Sequence, residues 1–287
     1  MNSRRQGFTL VELMIVAALS AVVMGAIYQT LIVQQKSNRQ INAEAATQQT
    51  LRASMQFLQG QLRELGATTG DVEAAAPESV TFRAMRKMGI VCGKPGGRNI
   101  DVFTMGDTLI VGDSVLFFAD LGDKAGGDDT IRIGRITASN SGGAVCTRPT
   151  GLPWDSLSMG MTRLTVTLLS GSFADVSVGD VVRTFEKTTY GIFSKGGSYV
   201  LGRRGGAATD TVVKVIGPLA SPASGGLRFQ YFDTASALPS GTLSAANRAR
   251  VFRIRMTLRG STPGAGSTNQ PTYSDTLVTN IYLRGNA

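Results

Sequence analysis

The sequence predicts an α+β chain: a long N-terminal α-helix, with a membrane half and an amphipathic half, packed on a large antiparallel β-rich head. Three observations carry this prediction. An apolar run from Phe8 to Val33 contains one charge, Glu12. A helical stripe carries the run on to Leu65, with no proline before Pro77. Beyond it, short alternating segments separated by glycines take over. The segments are thus a short basic leader at residues 1–7, the membrane half at 8–33, the amphipathic half at 34–66 and the head at 67–287.

Composition supports a packed chain and narrows its chemistry. The 287 residues are 42% hydrophobic, enough for a core and against global disorder. With 35 Gly and 9 Pro, the head is rich in turns. Histidine is absent, which removes Ser-His-Asp and Cys-His catalysis and His-ligated zinc or haem. Two cysteines cannot build a four-thiolate metal site. No enzyme activity and no cofactor are expected. The 29 basic and 20 acidic residues give a net charge of +9, but no basic run is longer than Arg203-Arg204, and 7% of residues are aromatic. That charge reads as diffuse, so nucleic acid is not an expected partner.

The uncharged stretch Leu13–Val33 has 21 residues, about 31 Å as a helix and close to one bilayer core. Arg4 and Arg5 precede it, so the positive-inside rule places residues 1–7 in the cytoplasm and the head across the membrane. A secretory signal peptide, a plain anchor and a buried core helix would share these features. None of them accounts for Glu12, because an acidic side chain near the centre of a membrane helix costs about 2.5–3.5 kcal/mol.

Gly7-Phe8-Thr9-Leu10-Val11-Glu12-Leu13-Met14-Ile15-Val16 resembles the type IV prepilin signature. The resemblance implies cleavage between Gly7 and Phe8 by a prepilin peptidase, N-methylation of Phe8, and an assembly role for Glu12. Glu12 lies four residues beyond the new amine, about 6 Å along the axis. In a stack of offset helices, the amine of one subunit can meet Glu12 of its neighbour, setting the register of assembly.

Past the membrane, Ile41, Ala45, Gln48, Leu51, Met55, Leu58, Leu62 and Leu65 recur at spacings of three and four, one face of a helix laid on its own head. Gly66 suits a C-terminal cap. A helix over 8–65 would be about 87 Å long, too long for a compact domain. Residues 67–76 read as a loop. Strands are expected at Ser79–Arg83, Ser114–Ala119, Thr130–Thr137, Arg163–Leu169, Asp180–Phe185, Tyr199–Gly202, Thr211–Ile216, Leu227–Tyr231, Arg250–Leu258 and Thr276–Leu283, with a linking loop at Ser261–Gln270.

The whole is similar to a pilin. Val251–Leu258 and Leu277–Arg284, with the helix end Leu51–Gly66, resemble the corresponding parts of PilW-type minor pilins. The type II secretion pseudopilin J shares this layout. The resemblance implies a non-catalytic protein of the inner membrane and then of the pilus surface. Its implied partners are the prepilin peptidase, other minor and major pilins, the inner-membrane assembly platform and the lipid bilayer. A membrane-anchored periplasmic binding or adhesion protein is the alternative outside filament assembly, and an adhesin or DNA-uptake pilin is a further one.

Cys92 and Cys146 would face an oxidising compartment and are a disulfide candidate. Asp120, Asp123, Asp128 and Asp129 are weak calcium candidates, since their spacing matches no defined calcium loop. Gly93–Gly97 and Arg203–Gly206 lack phosphate-loop spacing and read as turns. Trp154, the one tryptophan, reads as a core plug.

Overall fold

The computed structural model describes residues 9–67, 69–104, 107–119, 130–141, 146, 160–169, 171–206, 209–261 and 273–284. The first element is α1, Leu10–Arg63, a helix of 54 residues and about 81 Å. It ends at Glu64, whose backbone is right-handed. The expected Gly66 cap is therefore not used. Gly66 instead donates its N–H to the Asp71 carboxylate, at 2.9 Å, and lies in a buried bend after the helix.

Twelve strands follow: β1 Val72–Ala75, β2 Ser79–Gly96, β3 Asn99–Thr104, β4 Ser114–Ala119, β5 Thr130–Asn140, β6 Gly160–Leu168, β7 Val181–Lys195, β8 Ser198–Gly205, β9 Val213–Leu219, β10 Leu227–Phe232, β11 Arg253–Ser261 and β12 Ser274–Tyr282. A short helix, α2 (Ala245–Ala249), precedes β11. Nine strands form one sheet in the order β1-β2-β3-β6-β5-β4-β7-β8-β9, and β2 also pairs with β7. That extra pairing closes six strands, β2-β3-β6-β5-β4-β7, into an antiparallel ring. The other three strands form a second sheet, β10-β11-β12.

The head thus has two cores. One fills the ring with Val91, Ile100, Val102, Phe117, Ile136 and Leu164 among others. The other joins α1 to both sheets, through Leu51, Leu58 and Leu62 of the helix, Phe82 and Tyr190 of the large sheet, and Ile254, Met256 and Leu258 of β11. The long strands β2 and β7 serve both cores. Their register shifts between Met85 and Lys87, a bulge at the junction.

Close approach selects glycine at two places. A Cβ on Gly260 of β11 would sit 2.6 Å from Thr47 Cγ2 and 3.2 Å from Leu51 Cγ, so glycine lets the strand press against α1. A Cβ on Gly89 would sit 2.6 Å from Val102 Cγ1 and 2.8 Å from the Phe103 carbonyl oxygen, where β2 turns into the ring. The last strand is fastened to the first helix at both ends. Gln48 Nε2 donates to the Tyr273 hydroxyl at 3.2 Å, and the Arg284 N–H donates to the Leu65 carbonyl at 3.0 Å.

The helical stripe is covered only in its upper part. Leu51, Leu58, Leu62 and Leu65 are buried, and Met55 is half-buried. Ile41 and Ala45 are exposed, because the head begins at the level of Thr47. The stretch expected as a loop at 67–76 contains β1, which pairs with β2.

Candidate functional site

The described chain opens on a capping box. Thr9 is the N-cap of α1, with extended dihedrals φ −80° and ψ 150°. Its hydroxyl oxygen accepts the Glu12 N–H at 3.3 Å. The Thr9 N–H and hydroxyl both donate to Glu12 Oε2, at 3.0 and 3.1 Å. Two of the amides that a helix start leaves without partners are thereby satisfied. The carboxylate also sits at the positive end of the helix dipole. Sequence reasoning treated Glu12 as a lone charge awaiting a cation and overlooked Thr9. The Thr-x-x-Glu spacing was the available signal. Gly7 and Phe8 lie outside the described residues.

From Leu10 to Val33 the apolar side chains point outward on every side of the helix. Leu10 is 77% exposed and Val22 71%. An 18-residue window here has mean hydropathy 2.4, and none of it is buried by the rest of the chain. Such a surface cannot remain in water. The Thr30 hydroxyl donates to the Ala26 carbonyl at 2.9 Å, which satisfies it without a solvent partner. Glu12 is the one ionisable acid or base between Leu10 and Val33.

Cys92, on β2, is joined to Cys146 by a disulfide with a Cα–Cα distance of 4.9 Å, within the usual range. The bond links β2 to the connection between β5 and β6, on the ring side of the head. Asp120, Asp123, Asp128, Asp129 and Trp154 lie outside the described residues. Among the described residues, no group of three or more His, Cys, Asp or Glu side chains could hold a metal. The two glycine-bearing segments read as turns run into strands, β2 through Gly96 and β8 through Gly205. Lys94 Nζ donates to the Val176 carbonyl at 2.7 Å, a structural contact.

The titrating groups that stand out in the head serve its packing. Asp175 is held below the usual carboxylate range, first by its hydrogen bond from Arg132 and then by the Ser172 N–H. The Ser236 and Ala235 N–H groups hold Asp233 low as well, with Arg250 2.6 Å away. Burial pushes the Tyr231 phenol up, and its hydroxyl donates to the Ala76 carbonyl at 2.9 Å. Asp101 accepts two hydrogen bonds from Arg163, at 2.7 and 2.9 Å, bracing β3 to β6.

Residues 2–28 match the family model for the prokaryotic N-terminal methylation motif. The match takes in Gly7, Phe8, Thr9 and Glu12 and most of the exposed apolar run. The N-terminus is type IV prepilin-like, and its apolar helix is suited to a single membrane crossing. No curated protein and no solved structure matches the chain.

Proposed function

We propose that the chain is a minor type IV pilin. It enters the inner membrane with residues 1–7 in the cytoplasm and the head in the periplasm. A prepilin peptidase cuts between Gly7 and Phe8, and Phe8 is methylated on its new amine. The subunit then joins other minor pilins in a complex that initiates, assembles or caps the filament. Its work is assembly rather than catalysis.

The single observation that carries this reading is the uncovered apolar helix with one carboxylate at its very start. Bonds from Thr9 solvate Glu12 but supply no positive charge. In the unassembled subunit, the capping box keeps the carboxylate hydrogen-bonded at the helix end. In the filament, the amine of a neighbouring Phe8 supplies the missing cation, and a charge pair out of water is far stronger than one in water. Assembly thus exchanges a local pair of neutral donors for a charged one between subunits.

The test uses the native protein purified from its own membrane and from sheared filaments. Mass spectrometry of the N-terminus should find methylated Phe8 as the first residue. Glu12→Val should still be cleaved and methylated but should be depleted in the filaments. Retention of the first seven residues, or cleavage beyond Val33, would overturn the reading. Normal incorporation of the valine variant would remove the role given to Glu12.

A further inference from the structure

Four of the 29 basic residues come together on one face of the second sheet. Arg228 lies on β10, and Arg253, Arg255 and Arg259 on β11. Pairing sets Arg228 opposite Thr257 and Arg255 opposite both Gln230 and Asn280. All four arginines therefore sit on the face turned away from α1, because Ile254, Met256 and Leu258 alternate with them into the core. Among the described residues of these three strands, no Asp or Glu shares that face. Asp275, the one acid within these three strands, lies opposite Gly260, in phase with the inward residues. Asp233, at the end of β10, is taken by Arg250.

One end of the arginine row opens into an aromatic cleft of ≈ 430 Å³, lined by Phe232, Phe252, Tyr282, Arg253 and Asp233. The Arg253 guanidinium lies over the Phe232 ring, 4.2 Å from its centre. Tyr282 is 55% exposed, an unusual cost for a large ring on a sheet surface. It meets Phe252 edge-on at 5.7 Å.

We infer that this outer sheet face binds single-stranded nucleic acid. The arginines take phosphates, and the exposed Tyr282 ring, braced edge-on by Phe252, takes a base by stacking. Arg253 and Arg255 lie about 6.8 Å apart and the row to Arg259 spans about 20 Å, room for several nucleotides. Lipid headgroups are the wrong source of phosphate here. Gly260, next to Arg259, lies against Thr47, 14 residues beyond Val33. That is about 21 Å above the apolar run, more than two Debye lengths at physiological salt. Alternation along β11 already sets Arg253 and Arg255 opposite its apolar side chains, and strand pairing adds Arg228 and Tyr282. The inference stands apart from the filament reading, since it concerns the head alone.

The full-length chain in a non-ionic detergent, titrated against a fluorescent oligothymidylate of ~20 nucleotides, tests it. Anisotropy should report binding that weakens with salt, with a log–log slope of about −2.8 for four phosphate contacts. Arg228→Ala with Arg255→Ala removes two exposed side chains and should flatten that slope by about 1.4. Tyr282→Ala should weaken binding about tenfold at an unchanged slope. Thermal melting of each variant checks that it is folded. Absence of binding at about 50 mM salt would overturn the inference. So would a wild-type slope in the folded double-arginine variant, or duplex of the same length binding as tightly. Equal competition by polyglutamate would reassign the face to acidic protein surfaces.

Discussion

The two halves of α1 are built from similar apolar residues and meet opposite fates. Below Val33 the large side chains face outward all round, and nothing among the described residues covers them. From Leu51 to Leu62 they fall on one face, and that face is sealed by both sheets. The difference is one of angular distribution rather than of hydrophobicity. A stripe can be satisfied by one partner layer, whereas a fully apolar cylinder needs partners on every side. Inside the chain the upper half is complete. The lower half is complete only in lipid or among other helices.

Side chains cut from each half of α1 should act very differently on the stability of the head. Leu51→Ala with Leu58→Ala should cost about 4–10 kcal/mol, enough to unfold a typical domain. Leu19→Ala with Val23→Ala should leave the melting midpoint of the head unchanged. Calorimetry in detergent distinguishes the two, and an equal loss from the lower pair would show that the halves are not independent.

A smaller change asks whether the core on α1 and the core in the strand ring melt together. The disulfide closes a separation of 54 residues, so Cys92→Ser with Cys146→Ser should cost about 4 kcal/mol by the chain-entropy model. Hydrogen exchange should show β3 and β6 losing protection before the helix at Leu51–Leu62. Simultaneous loss would mean a single cooperative unit.

The smallest effect is acid loss of the head. Asp175 and Asp233 have folded pKa values below their unfolded ones. Their stabilisation is complete above the unfolded value of about 3.9 and disappears as pH falls through the folded values. The melting midpoint should stay level from about pH 7 to pH 4 and drop below that. Asp233→Asn should soften the drop.

Much of this was legible in order along the chain. The apolar run, the covered stripe from Leu51 to Leu65 and the alternation of β11 and β12 all follow from side-chain period. The length of β2 did not. It was expected to end at Arg83 but runs to Gly96, because the bulge beside Arg86 and the glycine demanded at Gly89 break the alternation that marks a strand. β3 was missed, since Asn99 and Asp101 beside the glycine turn are poor strand formers, and the partner that lets Asp101 be buried, Arg163, lies on distant β6. α2 has five residues, too few for a periodic signal. At the N-terminus, the motif pointed to Glu12, and the Thr-x-x-Glu spacing that marks Thr9 as its capping partner was legible too. The arginines of β11 stand in sequence order, but pairing register is what adds Arg228 and Tyr282 to their face.

The two fastenings between β12 and α1 join the opening of the polypeptide to its close. A head so tied has a high contact order, and such folds form slowly. A ribosome delivering the chain from its amino end cannot hand over a finished core until β12 has emerged. Until then Leu51, Leu58 and Leu62 lack the β11–β12 sheet that seals them, and the protein is most exposed to aggregation. Removing β12 and the residues that flank it would therefore uncover the helix near Leu51–Leu62, the first element to be laid down.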